Sequence, residues 1–467
     1  MPESAGFRFG PRDRRGLIAG IRTGQAVVVT IALLGALAGL YVLKGSARSL
    51  AALMVLFGAL VAFLPVGGRT LEEWVPVAAR FSSAGARGAR HEAPAIEARG
   101  PRPPSVLAGF KVLELEIGDA RSIGAVHDQR RGVLAAALVA DGGPFPLRDR
   151  AERGRLVAAW SSVLAAAAHG SAPYRLQWIV RTVPDGAEEL RERLVTGFAG
   201  AAPNSARQRA QESYETLVRD EHASAVRHEI LLVLAVRAPA SPGRLGPAAA
   251  RLGREVLAFE RRLKEAGVAV GGPATPAGLR AMLRRAFDTA PVLGDVAWPW
   301  PVALEESWST LRTDGTWHAS YWIAEWPRHE VDSDFLLPLI LNASDRRAIS
   351  VVMSPVPPAL AMRQVEHART SVVADGELRR RHGFALTARS QREQQAVLRR
   401  EVELAEGHAA YRFSGYVTVS SSSPEGLDEA CARVEQAGAI ARLELRRLYG
   451  AQGEAFCCTL PVARGCN

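Results

Sequence analysis

Few side chains in this chain have the type and spacing that metal binding or nucleophilic catalysis requires. The four cysteines are Cys431, Cys457, Cys458 and Cys466, and no two of them form a C-x-x-C pair. The ten histidines include no H-E-x-x-H motif, whereas zinc needs Cys or His ligands at defined spacings. No G-x-S-x-G sequence marks a serine nucleophile. The sequence therefore predicts no metal site and four ordinary thiols.

Nucleotide chemistry has no motif either. The three lysines, Lys44, Lys111 and Lys264, lie outside any G-x-x-x-x-G-K-[ST] loop, the sequence that cradles phosphates. No G-x-G-x-x-G opens a helix after a strand. We therefore expect no cofactor and a protein that is not an enzyme. Turnover of ATP by the purified chain would support the alternative of a membrane enzyme.

The formal charge of +10 on its own would suggest a nucleic-acid partner. The distribution of that charge along the chain argues against one. Residues 1–105 hold 13 Arg and Lys against 6 Asp and Glu, so residues 106–467 hold 45 against 42. The excess therefore lies beside the apolar segments near the start, and no direct nucleic-acid contact is expected. Trp308, Trp317, Tyr321, Trp322 and Trp326 could stack on bases beside arginines, but strand packing is the favoured interpretation. A membrane-tethered nucleic-acid binder stays an alternative.

Two uncharged apolar runs, 23–43 and 49–68, are long enough to cross a hydrocarbon core of about 30 Å as helices. They predict a transmembrane helical hairpin at 23–68 in the plasma membrane, in contact with the lipid bilayer. Basic residues set orientation, and the hairpin tip offers only Lys44 and Arg48. Both termini are therefore predicted to be cytoplasmic. The residues taken to set this topology are Arg12, Arg14, Arg15, Arg22, Arg69 and Arg80.

Small residues recur at four-residue spacing in both runs, as Gly35 with Gly39 and Gly58 with Ala62. Such pairs let helix backbones approach closely in lipid. Packing of the two spans on each other is the favoured interpretation, and docking of another membrane subunit is the alternative.

Beyond residue 105, apolar runs typical of strands alternate with amphipathic runs typical of helices. This pattern predicts an α/β (α+β) fold with two ferredoxin-like cytoplasmic domains, 106–295 and 296–467. They follow a basic tail at 1–22, the hairpin at 23–68, and a juxtamembrane segment with a Pro/Arg-rich linker at 69–105. Strands are predicted at 133–140, 175–182, 229–236, 317–326, 347–354, 411–420, 441–448 and 455–461, and helices at 149–168, 205–221, 246–266, 332–341, 358–371, 390–407 and 424–437.

The predicted helix at 390–407 is mostly charged with a thin apolar stripe. Such a surface is usually only solvated, but it also suits a partner-docking arm. The candidate docking residues are Gln391, Glu393, Arg399, Arg400 and Glu403.

Several short motifs resemble a family of actinobacterial integral-membrane proteins from conjugation or type IV secretion-like gene clusters. The motifs are G-R-T-L-E-E-W at 68–74, E-W-P at 325–327, E-L-A-E-G-H at 403–408, Y-G-A-Q-G-E-A-F at 449–456 and L-P-V-A-R-G at 460–465. The second domain also resembles the N-terminal region of the TraC/TrbE class of conjugative ATPases. A weaker resemblance is to EccE, a membrane subunit of type VII secretion.

These resemblances imply a plasma-membrane scaffold of a conjugation or type IV secretion-like apparatus. They imply a separately encoded motor ATPase and other membrane subunits as partners, because the phosphate loop of the ATPase class is missing here. An oligomer within the complex is also expected. An EccE-like role in type VII secretion is the first alternative.

Overall fold

The computed structural model describes residues 9, 23–42, 49–66, 69–88, 90–92, 96–97, 100–101, 103–118, 121–143, 145–169, 173–184, 213, 226–288, 296–341, 345–381 and 388–465. Over these residues the protein is a mixed α/β structure built on one large antiparallel sheet. Its helices are α1 (Thr23–Val42), α2 (Ser49–Phe63), α3 (Leu71–Ala86), α4 (Arg150–Ala168), α5 (Gly246–Glu265), α6 (Pro276–Phe287), α7 (Leu337–Leu341), α8 (Pro358–Arg381), α9 (Ala388–Ala405), α10 (Pro424–Ile440) and α11 (Gln452–Cys457).

The strands fall into two short hairpins and the main sheet. The hairpins pair β1 (Pro65–Val66) with β2 (Arg69–Thr70), and β4 (Ile96–Glu97) with β5 (Gly100–Pro101). The main sheet contains β3 (His91–Glu92), β6 (Phe110–Ile117), β7 (Arg121–Asp128), β8 (Val133–Asp141), β9 (Arg175–Pro184), β10 (Val226–Arg237), β11 (Ala269–Pro273), β12 (Leu304–Glu306), β13 (Leu311–Thr313), β14 (Thr316–Glu325), β15 (Arg346–Pro355), β16 (Tyr411–Ser421) and β17 (Glu444–Arg447).

Two parts of this sheet repeat one arrangement. The first unit consists of β8, α4, β9, β10, α5 and β11, and its strands lie in the order β11–β8–β10–β9. The second unit consists of β14, α7, β15, β16, α10 and β17, with the order β17–β14–β16–β15. In each unit the strand that comes fourth along the chain lies at one edge and the second strand lies at the other. The helix pair α8–α9 joins the second and third strands of the second unit.

The two units share one continuous sheet because their second strands pair with each other. β9 and β15 are antiparallel, with Val180 opposite Ile349 and Arg181 opposite Ala348. We call this pairing the seam. It places the strands of 106–295 on one side and those of 296–467 on the other.

Both faces of the sheet are covered, which explains why its central strands are apolar on both sides. On one face, Leu252, Val256, Phe259 and Leu263 of α5 pack on the first unit. These positions recur at the spacing of one helical face. On the same face of the second unit, α10 packs on Tyr321 and its neighbours. The opposite face is covered by α6 and by the C-terminal segment that follows β17.

The C-terminal segment corrects one strand prediction. Residues 455–461 are not a strand but the end of α11 and a following turn. The backbone here lies across a sheet face, where Gln177 Nε2 donates to the carbonyl oxygens of Cys458 and Leu460, both at 3.0 Å. The Ala463 N–H donates back to Gln177 Oε1 at 2.7 Å. A buried side-chain amide thus satisfies the backbone groups that a strand would pair at a sheet edge.

Other predicted elements differ from the observed helices and strands mainly in where they begin or end. The predicted span 49–68 is helical only to Phe63, because Pro65 disfavours helical backbone at the residue before it. The predicted juxtamembrane segment and linker at 69–105 contains the helix α3, and its strand β3 joins the main sheet by pairing with β12. α8 continues to Arg381, beyond the predicted end at 371. The predicted helix at 332–341 covers only Leu337–Leu341. The one predicted at 205–221 lies outside the described residues, except for residue 213.

Candidate functional site

The apolar helices α1 and α2 pack closely on each other through small residues. A side chain on Gly58 would overlap the Cβ of Ala32, and a Cβ atom on Gly35 would lie 2.8 Å from Met54 Cε. Ala62 is fully buried and Gly39 half-buried. The structure therefore places Gly35, Gly58 and Ala62 where the two helices meet.

A polar residue that sequence reasoning missed also joins these helices. Gln25 is buried, and its Nε2 donates to the carbonyl oxygen of Ala62 at 3.0 Å. An interhelical hydrogen bond from an amide side chain helps hold apolar helices together where lipid supplies no competing partner. Its sequence signal was a single amide inside an uncharged apolar run, which marks a polar group that needs a partner.

The outer surface of the pair is apolar and exposed. Among the described helices, only the stretch Gly24–Tyr41 of α1 is long and apolar enough to cross a membrane, and α2 is shorter. Exposed apolar surface of this size needs a partner surface or lipid. The side chains that form it, each between 48% and 67% exposed, are Val27, Ile31, Leu33, Leu34, Leu37, Leu40, Leu53, Leu56, Phe57 and Leu60.

Replacing Gly58 by Leu tests this close packing. The new side chain would overlap Ala32, so α1 and α2 would have to separate. We expect the free energy of unfolding in detergent to fall by about 1–3 kcal/mol, as is typical of an overpacked interface. Ala38→Leu is the matched control because Ala38 lies on the exposed side of α1. Equal effects of the two substitutions would contradict the packing described here.

Helix α3 connects the helical pair to the sheet through an aromatic cluster. Thr70 precedes the helix, and its N–H donates to Glu73 Oε2 at 3.3 Å. The Trp74 ring lies 5.7 Å from that of Trp308, and the Phe81 ring lies 5.1 Å from the same indole. The Tyr449 ring stacks on Trp308 at 6.4 Å. We call Trp74, Phe81, Trp308 and Tyr449 the α3 junction.

The α3 junction also explains the conformation of Gly450. This residue has φ of +67°, and a Cβ there would lie 2.6 Å from the Trp308 ring. Glycine is the residue that adopts this backbone conformation at no steric cost. The Y-G-A-Q motif at 449–452 therefore lies against α3 in the folded chain.

The predicted topology residues divide into two groups. Arg12, Arg14, Arg15 and Arg22 lie outside the described residues. Arg69 belongs to strand β2, and Arg80 is exposed on α3.

The predicted docking residues lie on α9, which packs against α8 to form a two-helix arm. Gln391, Arg399, Arg400 and Glu403 are exposed, and Glu393 is part of the helix. Arg369 Nη1 lies 2.9 Å from Glu401 Oε1, so these two residues face each other across the antiparallel helix pair. We call α8 and α9 together the arm.

The arm also exposes apolar side chains, which a helix pair that is only solvated would not need. Val373 is 58% exposed, Leu398 46% and Val402 54%. Val373 lies one turn beyond Arg369, and Leu398 lies one turn before Glu401. The Arg369–Glu401 pair therefore brings Val373 and Leu398 to the same level of the arm. Apolar surface flanked by Arg399 and Arg400 resembles the core and rim of a protein interface.

Most of the aromatic cluster on β14 belongs to the core. Tyr321 is buried with Val417 and Val419, and Trp322 packs beside Tyr416. Strict alternation of side chains would place Trp326 on the same side of the strand as Trp322, but Trp326 packs with the Tyr321 cluster. The cause is a register irregularity between Ile323 and Glu325, because one extra residue reverses the alternation of side chains.

A buried ion pair crosses from β9 to β10 beside the seam and was missed from the sequence. Arg181 Nε donates to Glu229 Oε2, and Arg285 Nη2 approaches Glu229 Oε1 at 3.8 Å. Burial favours the neutral carboxyl, but the guanidinium groups of Arg181 and Arg285 outweigh it and hold the pKa of Glu229 below its ordinary value. Arg181 Nη1 also donates to the Met282 carbonyl at 2.7 Å, so the pair helps position α6.

Two further polar groups anchor the same end of α6. Arg346 donates to the carbonyls of Asp288 at 2.8 Å and Arg285 at 3.0 Å. Thr313 Oγ1 donates to the Phe287 carbonyl at 2.7 Å. Cationic donors are favourable at a helix C-terminus because the last carbonyls carry negative partial charge. These arginines therefore have a structural role in the fold.

His318 is fully buried and neutral. Because Thr313 donates to Phe287, its oxygen accepts from His318 Nε2 at 2.7 Å. His318 Nδ1 then accepts from the Ser420 hydroxyl at 2.8 Å. Burial, together with the charge of Arg346, lowers the pKa of His318 to about 3. The imidazole thus links β14 to β13 and β16.

The described cysteines lie in the core. Cys431, Cys457 and Cys458 are free and buried, whereas Cys466 lies outside the described residues. Within the described part of the chain, no group of three or more His, Cys, Asp or Glu residues could hold a metal ion.

Comparison of the chain with protein-family models and with curated proteins found no match.

Proposed function

We propose that this protein is a non-enzymatic scaffold subunit of a conjugation or type IV secretion-like transfer apparatus in the plasma membrane. In this proposal α1 and α2 both span the bilayer, with both termini in the cytoplasm. The exposed apolar surface of the helical pair supports membrane insertion. α1 has 20 residues and reaches about 30 Å, whereas the 15 residues of α2 reach about 22 Å. A shorter span is accommodated by thinning of the bilayer around it.

We further propose that the first and second units are ferredoxin-like domains joined at the seam. Each unit has the element order β-α-β-β-α-β, with the fourth strand beside the first and the third between the first and second. This order supports the assignment. The helices of both units pack on the same face of the sheet.

The arm carries the proposed scaffold role. It presents Val373, Leu398 and Val402 beside Arg399 and Arg400 on a helix pair inserted into the second unit. The partner proposed for this surface is a separately encoded motor ATPase, in keeping with the resemblance of the second domain to a region of TraC/TrbE-class proteins. A desolvated apolar centre with charged neighbours suits such a contact. Direct nucleic-acid binding is not part of the proposal.

Charge reversal on the arm tests this function. Arg399→Glu together with Arg400→Glu is expected to reduce co-purification of the full chain with the motor ATPase of the same gene cluster by about tenfold or more, as expected when two interface charges become repulsive. Arg254→Glu together with Arg261→Glu is the control, because these arginines are exposed on α5 away from the arm.

The control pair is expected to retain the ATPase at the wild-type level. Equal recovery with the arm and control variants would contradict the assignment of the arm. Failure of the wild-type chain to co-purify with the ATPase from crosslinked native membranes would contradict the scaffold role itself.

A further inference from the structure

Three aromatic side chains of the second unit and its loops form a box around Phe9. The Phe9 ring centre lies 5.1 Å from Trp326, 5.4 Å from Phe335 and 6.0 Å from Phe413. Within the box, the Trp326 ring lies 5.2 Å from Phe413 and 6.4 Å from Phe335. Aromatic rings at these separations attract each other beyond the burial of their surface. We call Trp326, Phe335 and Phe413 the aromatic box.

The sequence around the aromatic box keeps it open to an incoming ring. A Cβ on Gly415 would lie 2.8 Å from the Trp326 indole and 2.5 Å from Ile323, so a glycine is needed beside the box. Phe413 stays 41% exposed although Phe9 contacts it. A large, partly exposed aromatic surface is typical of a peptide anchor site.

The segment that carries Phe9 is basic, and the loop beside the box is weakly acidic. Residues 8–22 contain five arginines and one aspartate, a net charge of +4. Residues 325–334, which bring Trp326 close to Phe335, contain four acidic residues and one arginine, a net charge of −3, but Asp332 and Asp334 already lie 3.9 and 2.9 Å from Arg150 and Arg153 of α4. With these two arginines counted, the net charge is −1, so the charge attraction is weak and the Phe9 ring carries the recognition.

We propose that the aromatic box is a docking site for an aromatic-anchored basic peptide, and that its occupant is this chain's own N-terminal segment through Phe9. The 13 residues from 10 to 22 can span about 45 Å when extended, so the box can lie far from the start of α1. This inference extends the proposed function. Its consequence for how the body is held at the membrane rests on that function. The body is then attached on both sides of the helical pair, by Phe9 before α1 and by the α3 junction after α2.

This double attachment restricts the orientations that the body can take. With the α3 junction alone, the sheet can pivot about one contact beside the helical pair. With Phe9 docked as well, the box cannot move further from the start of α1 than the extended length of residues 10–22 allows. The directions in which the arm can point are therefore limited from both ends of the hairpin.

Peptide binding to the full-length protein in detergent tests the site. The probe is a fluorescent peptide of residues 1–15. In the wild type its own Phe9 fills the box, so the peptide is expected to bind weakly. In Phe9→Ala the box is empty, and binding is expected to tighten by about tenfold or more. Phe7→Ala is the matched control, since it removes a ring from the same segment, and is expected to behave like the wild type.

Further variants distinguish the possible outcomes. Adding Phe335→Ala to Phe9→Ala should remove the gained binding, with an unchanged circular dichroism spectrum showing that the chain still folds. The photoreactive residue p-benzoylphenylalanine at position 9 keeps an aromatic ring and should crosslink within one chain on irradiation, whereas crosslinked dimers would instead assign the occupant to a second copy. Equal peptide affinity of Phe9→Ala and Phe7→Ala would overturn the proposal. Because this assay uses neither the ATPase nor a membrane, its failure is separate from failure of the scaffold role.

Discussion

Replacing Glu229 by Gln is expected to lower the free energy of unfolding of the α/β body by about 3–5 kcal/mol, the typical cost of breaking a buried ion pair. The side chains of Arg181 and Glu229 are only 7% and 9% exposed. Removal of the carboxylate leaves the Arg181 and Arg285 guanidinium groups close together without their shared counter-charge. The measurement is chemical denaturation of the full chain in detergent, followed by tryptophan fluorescence.

The control for this substitution is Glu429→Gln, which breaks an exposed pair with Arg433 at 3.5 Å. Exposed ion pairs contribute about 0–1 kcal/mol because water and salt screen them. We therefore expect a change of less than about 1 kcal/mol for Glu429→Gln. A loss at Glu229 no larger than that at Glu429 would show that the pair beside the seam does not stabilise the sheet.

The second large effect is a loss of stability in mild acid that depends on His318. Its folded-state pKa of about 3 lies below the ordinary value of 6.5, so the unfolded chain binds this proton more readily. The contribution of neutral His318 is fully present above pH 6.5 and is lost as the pH falls towards 3. Between pH 6.5 and about 5, protonation linked to this one residue should lower the free energy of unfolding by about 2 kcal/mol.

The variant His318→Gln should remove that part of the pH dependence, although it also lowers stability at neutral pH by disturbing the bonds to Thr313 and Ser420. His367→Gln is the matched control because His367 is exposed on α8, and it should keep the wild-type slope. The pKa of His228 is also lowered, first by burial and then by the charge of Arg347, and its contribution stays in both variants. An unchanged slope in His318→Gln would contradict the buried neutral imidazole.

Local patterns in the sequence predicted most of the elements. The apolar run of β8 and the 3.6-residue periodicity of α5 each reflect burial of one element against its neighbours, which spacing reveals directly. The capping position of α10 was also readable, because Pro424 begins the helix and Ser423 Oγ accepts from the Gly426 N–H at 3.1 Å. Helix-capping signals of this kind are encoded within a few residues.

Pairing between strands that are distant in the sequence could not be predicted in the same way. The seam joins β9 and β15, and nothing in either strand identifies the other as its partner. Arg181 and Glu229 looked like ordinary charges at strand ends, and only their cross-strand pairing makes them a buried ion pair. The reversed side of Trp326 likewise depends on the pairing of β14 with β17.

The candidate site was predicted unevenly for the same reason. Small residues at four-residue spacing indicated the contact between α1 and α2, and the charged pattern indicated α9 as a surface helix. The exposed apolar residues of the arm become a surface only when α8 lies beside α9. Phe9 and the aromatic box are separated by most of the chain, so only the fold brings them together.

Membrane attachment is the central claim, and sedimentation of the full-length chain tests it most directly. Broken cells are washed in alkaline carbonate, which strips peripheral proteins, and are then centrifuged at high speed. We predict that the chain stays in the membrane pellet and enters the supernatant only after detergent is added, because the proposed spans α1 and α2 would bury their exposed apolar surface in lipid. Recovery of the intact chain in the supernatant without detergent would contradict the account.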